Sequence, residues 1–360
     1  MKRRDFLLAL LAGLAGGACA GPEGEAPAAD APKDEGDNVN AKDAPAGGKA
    51  TGLVYDEKYL EHDQGRGHPE RPERLKALLE GLEEAGLREK LVDVAARAAE
   101  LEWLTKRHDA GYVERVKKTV ERAPARLDTD VSVSAGSYEA ALLAAGGVLA
   151  ACDAVMAGKV RNAFCAVRPP GHHALRANGM GFCIFGNVAI AAAYLREKHK
   201  VARVAIADWD VHHGNGTQAM TYEDPLIYFT SSHRFPFYPG TGDADERGKG
   251  DGAGFTLNLP YPGGTADEHV LKLWREKWLP EMEKFKPEFI LMSAGFDADA
   301  RDPLGGCRLT AAGFGKLTKL VRGVADKYAK GRLVSALEGG YNSEAMAEDS
   351  AAHVAALMET

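Results

Sequence analysis

Asp208-Trp209-Asp210-Val211-His212 puts two carboxylates and an imidazole at alternate positions, directly behind the apolar run Val204-Ala205-Ile206. The run predicts a buried parallel strand. Side chains in an extended segment repeat every second residue, so Asp208, Asp210 and His212 are expected to point the same way. The carboxyl ends of strands are where open α/β sheets place their chemistry. Oxygen and nitrogen donors converging there could hold a metal, and the competing reading is a capped strand followed by a polar turn. Gly214 and Gly216 come next and are expected to let the backbone turn tightly.

Three other apolar runs end in the same kind of residue. Ala163–Val167 leads into Arg168-Pro169-Pro170-Gly171-His172-His173-Ala174, and Phe289–Ala294 into Gly295-Phe296-Asp297 and Asp302-Pro303-Leu304-Gly305-Gly306. Leu333–Leu337 leads into Glu338-Gly339-Gly340-Tyr341-Asn342. Singly these are weak signals, and a bare His-His pair is most often a surface feature. Four such loops at the carboxyl ends of one sheet would form a single pocket holding carboxylates, imidazoles and a phenol.

The surrounding pattern supplies that sheet. Gly52–Asp56 is expected to be an edge strand, followed by an amphipathic helix starting near Glu70 or Pro72 and by helical segments at 102–121, broken near Asp109-Ala110-Gly111. Ser137–Ala157 is Ala-rich and helical, ending at Gly158. From there helices at 187–198, 267–285, 310–328 and 343–358 alternate with strands at 163–167, 203–208, 226–231, 255–259, 289–294 and 333–337, with Ser343 as the N-cap of the last helix. Such alternation predicts an α/β fold of three layers, α/β/α, with a mostly parallel central sheet.

The chain has 360 residues, 45% hydrophobic and 27% charged, with a net charge of -7, so it lacks the basic footprint of a nucleic-acid binder. Residues 1–20 read as an export signal. Lys2-Arg3-Arg4 is a basic start, Phe6 to about Ala15 is a short apolar stretch, and Arg3-Arg4-Asp5-Phe6-Leu7 resembles a twin-arginine signal. Ala18-Cys19-Ala20 fits a signal-peptidase site, whereas Leu14–Cys19 resembles a lipobox with Cys19 as a lipid-modified terminus. Residues 21–50 carry no large apolar side chain except Val39 and read as a disordered tether. Residues 51–360 are expected to form one domain, and the expected location is the bacterial cell envelope, periplasmic or membrane-anchored. Cys152, Cys165, Cys183 and Cys307 show no C-x-x-C spacing and are expected to be reduced and buried.

These motifs, in this order from about residue 53 onward, resemble the histone deacetylase superfamily, including bacterial histone-deacetylase-like and acetylpolyamine amidohydrolases. The resemblance rests also on His68-Pro69-Glu70 with Pro72 and Arg74, on Gly181-Phe182-Cys183, Asn187-Val188-Ala189 and Phe237-Tyr238-Pro239-Gly240-Thr241-Gly242. Trp209 and Asn215 are closer to the class II branch. The resemblance implies Asp210, His212 and Asp297 as Zn ligands, with Fe(II) acceptable to the same donors. It implies His172 and His173 as the acid/base pair, Asp208 as the residue that orients the first, and Asn215 as a neutral partner of the second, which should disfavour its imidazolium. Tyr341 would stabilise the oxyanion. Phe182 and Tyr238 would wall the acyl tunnel, with Tyr standing where Phe is more common, and Gly181 would offer its carbonyl to the substrate amide. A structural K+ beside the metal would use Asp208, Asp210, His212, Ser231 and Ser232.

The function expected is zinc-dependent removal of acetyl or short acyl groups from amines such as acetyl-lysine or acetylpolyamine. Leu304 stands where a polyamine-preferring branch carries Glu, which disfavours a cationic tail. Two other readings compete: an exported acyl-amine binding protein with little catalysis, and an arginase-like ureohydrolase, which would need a binuclear Mn site with more Asp and His ligands than this chain offers near Asp210.

Overall fold

The computed structural model describes residues 50–359. The expected export signal, Cys19 and nearly all of the expected tether lie outside the described residues.

In chain order the elements are β1 (Thr51–Val54), α1 (Glu73–Glu84), β2 (Val92–Asp93), α2 (Leu101–Thr105), α3 (Ala110–Val120), β3 (Ala125–Asp128), β4 (Val131–Val133) and α4 (Ser137–Met156). Then come β5 (Asn162–Cys165), α5 (Asn187–Glu197), β6 (Val204–Asp208), α6 (Asn215–Thr221), β7 (Ile227–Arg234) and β8 (Thr256–Tyr261). The last third holds α7 (Asp267–Leu273), α8 (Leu279–Phe285), β9 (Phe289–Ala294), α9 (Ala311–Tyr328), β10 (Leu333–Leu337) and α10 (Ser343–Met358).

Eight strands form one sheet in the order β2-β1-β5-β10-β9-β6-β7-β8, and every neighbouring pair is parallel. The central strands are buried along their whole length, so they read as continuous apolar runs rather than alternating ones. Helices α4 and α5 pack on each other and on the sheet, while α1, α9 and α10 form a second packed group. The expected three-layer α/β/α architecture is the one observed. By length and composition α4 is apolar enough to cross a membrane, yet 72% of its most apolar window is buried, which marks it here as a core helix. Gly146 lies against the backbone of Arg97–Ala99, where a Cβ would come within 1.8 Å of the Arg97 carbonyl oxygen.

Four local expectations need correction. β1 is not an edge strand, because the two-residue β2 pairs outside it, and two exposed residues carry no periodic signal. The helix expected over 267–285 is interrupted by a π segment at Trp274–Trp278. Pro280 explains the break: it cannot donate to the carbonyl of Glu276, and its ring crowds that carbonyl. The wider turn sends both Trp274 and Trp278 into the core, 0% exposed. The N-cap of α10 is Asn342, whose side chain accepts from the Ala345 N–H at 3.0 Å, rather than Ser343. Finally, Gly214 has an ordinary φ of -72°. It is needed for close approach, since a Cβ there would sit 2.2 Å from Asp208 Oδ2.

Candidate active site

The register of the sheet aligns the loops that carry the chemistry. Asp208, the last residue of β6, lies opposite Ser293 of β9 and Ser231 of β7, and Ser293 in turn lies opposite Ala336 near the end of β10. The segments after β5, β6, β9 and β10 therefore leave the sheet side by side. All four expected loops meet.

At the centre, His212 Nδ1 lies 3.1 Å from Asp210 Oδ1 and 3.0 Å from Asp297 Oδ2, and all three side chains are buried. Backbone donors hold the carboxylates. The Gly339 N–H donates to Asp210 Oδ2 at 2.8 Å and the Val211 N–H to Asp297 Oδ1 at 2.8 Å. Gly339 must be glycine for this approach, because a Cβ would come within 2.3 Å of Asp297 Oδ2 and 2.6 Å of Asp210 Oδ2. Burial works against the His212 imidazolium, but its hydrogen bonds to Asp210 and Asp297 overcome it and push the pKa up to about 10. Burial, reinforced by Asp210, raises the Asp297 carboxyl to about 7. A buried group of two carboxylates and an imidazole that holds a proton this tightly is suited to a dication in the proton's place. The donor set thus fits zinc, and the same oxygen-rich set fits Fe(II).

The imidazole pair stands beside this group. His172 Nδ1 donates to Asp208 Oδ2 at 3.0 Å, and His172 Nε2 is 3.8 Å from Asp210 Oδ1. His173 Nδ1 donates to Asn215 Oδ1 at 2.7 Å. The two rings are 4.0 Å apart, but their charges diverge. Burial would depress both, yet Asp210 and Asp208 hold the His172 imidazolium well above its ordinary range. His173 is pushed well below it by burial and by the neighbouring His172 and His212, and neutral Asn215 cannot compensate. Two titratable groups driven apart in this way form a natural acid and base.

A 230 Å³ cavity opens onto these groups, lined by His173, Gly181, Phe182, His212, Tyr238, Leu304 and Tyr341, together with Asp130 and Phe237. Phe182 packs edge-on against Tyr341, centroids 5.9 Å apart, and Tyr238 edge-on against His173 at 5.2 Å. Gly181 has φ +55°, and a Cβ there would lie 2.2 Å from His173 Cδ2. Its carbonyl already accepts a weak hydrogen bond from the Cys183 thiol at 3.3 Å. Every expected catalytic, metal and tunnel residue is thus in one place. The expected K+ residues fit less well: Ser231 Oγ pairs with His233 Nδ1 and Ser232 Oγ accepts from the Trp274 indole, so the two hydroxyls serve other partners.

Sequence reasoning assigned no part to several residues that hold the site. Glu338 Oε2 accepts from the N–H groups of Gly171 and His172, at 2.7 and 3.1 Å, and Oε1 from Ser293, which seats the His pair from below. Glu338 also lies close to His172 and Cys183, all three buried. Arg74 donates to the carbonyls of Gly340 and Glu338, and its guanidinium lies 4.9 Å from the Tyr341 ring centroid. Glu70 anchors Arg74 and also receives two hydrogen bonds from Arg168. Asp302 joins two loops, accepting from Leu304 and Gly305 through Oδ1 and from Tyr341 through Oδ2. Asp130 Oδ2 accepts from the Tyr238 hydroxyl at 2.7 Å, a contact that only the Tyr at this position permits. The His68-Pro69-Glu70 and Arg74 motif was the available signal for the ion cluster; Asp130 carried none.

Comparison with known proteins agrees with this geometry. Residues 68–357 match the histone deacetylase domain family. A probable deacetylase of Archaeoglobus fulgidus is 42% identical over 296 residues, 82% of either chain. A histone deacetylase-like amidohydrolase of Pseudomonas aeruginosa is 43% identical over 280 residues, 77% of this chain and 73% of that one. The crystal structure of the HDA15 HD domain superposes with a TM-score of 0.82 at 35% identity, covering 86% of this chain and 88% of the other.

Proposed function

The chain belongs to the histone deacetylase family and is a hydrolase acting on amides, and from this premise we propose that it removes acetyl or short acyl groups from primary amines with zinc held by Asp210, His212 and Asp297. The observation that carries the reading is the His pair, one ring held charged and the other neutral, beside three buried side chains able to ligate a metal at one cavity. Bound there, zinc would supply Lewis acidity toward the amide carbonyl and the attacking water. The protein's own residues do the rest. Phe182 and Tyr238 hold the acylated chain, and the Gly181 carbonyl accepts from the scissile amide N–H. His173, neutral and with Nδ1 committed to Asn215, takes the water proton at Nε2. Tyr341 donates its hydroxyl proton in a hydrogen bond to the oxyanion, and burial keeps that phenol protonated, well above its ordinary pKa. His172, charged through Asp208 and Asp210, delivers a proton to the departing amine.

Asp208, Asp210, His212, Ser231 and Ser232 are proposed to hold a structural K+. The sequence of residues 1–20 favours export, with Cys19 as a lipid attachment point, and an envelope location would put histones out of reach. Acetylated polyamines, N-acyl amino compounds and envelope peptides are then the substrate classes, with Leu304 favouring an uncharged tail.

The test is acetate release from a panel of N-acetyl amines, including acetyl-lysine peptides and acetylpolyamines, with chelator and with zinc restored. Chelator-sensitive release recovered by zinc supports the proposal. No release from any member by protein carrying one zinc per chain would overturn it.

A further inference from the structure

Arg234, the last residue of β7, reaches toward the centre without touching the reacting groups. Its guanidinium carbon lies 4.0 Å from the centroid of the Phe237 ring. That ring stacks on the His212 imidazole, with centroids 5.3 Å apart and planes 15° from parallel. Arg234 spends a hydrogen bond on a carbonyl, Gly305 O at 3.2 Å, and its backbone N–H donates to Val211 O at 2.9 Å. Beside it run Gly263 and Gly306, where an added Cβ would come within 2.9 and 2.7 Å of the guanidine nitrogens. The side chain thus touches the segments following β7, β8 and β9, its backbone N–H ties it to the segment following β6, and its flat face ends on the ring that backs His212.

The hydrogen bonding of His212 shows why that matters. A metal-binding histidine is usually oriented by a hydrogen bond at its second ring nitrogen. Both side-chain hydrogen bonds of His212 are made at Nδ1, to the very carboxylates that would share the metal. Once a cation replaces that proton, these bonds no longer fix the ring. The contacts that remain are ring contacts: Phe237 against the face, His173 and Tyr238 near the edges at 5.9 Å each. Of these, Phe237 is the near-parallel one, and a cation over its ring is an attractive contact that holds it in place.

We infer that Arg234 is a positioning residue that, through Phe237, sets the plane of His212 and so the metal affinity of the centre. The inference rests on Asp210, His212 and Asp297 being the metal ligands. Its test is therefore metal binding rather than turnover. Zinc affinity of the whole chain is measured by competition with a chromogenic chelator, and the visible absorption of the cobalt-substituted protein reports ligand geometry. Arg234→Ala should weaken zinc binding by roughly 10–100-fold, the range for residues that orient a ligand, and alter the cobalt spectrum. Phe237→Leu should do the same, and the double variant should be no worse than the worse single one, because both act along one path. Arg234→Lys keeps a cation above the ring and should recover part of the loss. Wild-type affinity and spectrum in Arg234→Ala would overturn the inference. If that variant does not fold, unchanged zinc affinity in both Arg234→Lys and Phe237→Leu would overturn it equally. A wild-type chain that binds no zinc would instead overturn the metal assignment, and this inference with it.

Discussion

Asn215→Asp isolates the base. In the structure the Asn215 carbonyl oxygen is 2.7 Å from His173 Nδ1, so the neutral partner fixes the ring without stabilising a charge on it. The substitution keeps size and shape and places a full negative charge on the order of 4.5 Å from the ring centre. With an effective dielectric constant of about 20 the attraction is roughly 3–4 kcal/mol, equivalent to about 2.5 pK units. The His173 pKa, now well below its ordinary range because of burial and two neighbouring imidazoles, would rise toward that range. A base must be neutral to accept a proton. The acid limb of kcat/KM against pH, measured with an N-acetyl-lysine peptide, should therefore move upward by about two units. Activity should fall at the acid end of the profile, while activity near pH 9 should stay close to that of the unsubstituted protein. An acid limb that does not move would show that His173 is not the group that must be neutral, and the acid/base assignment would fall.

Three further outcomes are expected. Tyr341→Phe should lower kcat by about 100–1,000-fold with little change in KM, as for a lost oxyanion donor, and an unchanged kcat would remove that role. Gly181→Ala should cut kcat sharply and also lower the melting temperature, because the new methyl would displace the His173 ring from 2.2 Å away at a backbone φ of +55°; kinetics beside thermal melting checks both halves. Asp349 is buried with neither carboxylate oxygen hydrogen-bonded, and burial raises its pKa to about 9. The folded state then holds a proton that the unfolded chain releases above about pH 4, so this group costs stability increasingly from pH 4 to about 9. Asp349→Asn should stabilise the protein by on the order of a few kcal/mol at pH 8 in urea unfolding, and the gain should vanish toward pH 4.

The parts of this molecule that were legible in the chain are those with a period or a punctuation mark. β9, β10 and α10 begin and end where the apolar runs and flanking glycines suggested, because buried parallel strands are continuous apolar segments and glycine marks their turns. The two carboxylates and imidazole of Asp208, Asp210 and His212 were readable for the same reason: they follow a strand at alternate positions. What escaped notice acts across long sequence distances. Nothing near Asp130 says that it will meet Tyr238, 108 residues away, and nothing near Arg74 says that it will brace the Tyr341 loop, 266 residues from Gly340. Such pairs are fixed by strand order, which no local pattern encodes. The π segment at Trp274–Trp278 differs, since its cause is local: Pro280 removes a donor from the preceding turn.

That strand order also bears on how the protein comes to be folded. β10 is the last strand to be synthesised, yet it lies in the middle of the sheet, between β5 and β9. Until Leu333–Leu337 has left the ribosome, the sheet is two fragments with open, apolar inner edges, which invite association with other chains. Helix α1 waits as long, because it packs against α10. Folding of this sheet must therefore wait for β10, whose insertion closes the core and seats Glu338 under the His pair. A quality-control step that sees only complete sheets would, by the same event, see only chains whose catalytic centre is assembled.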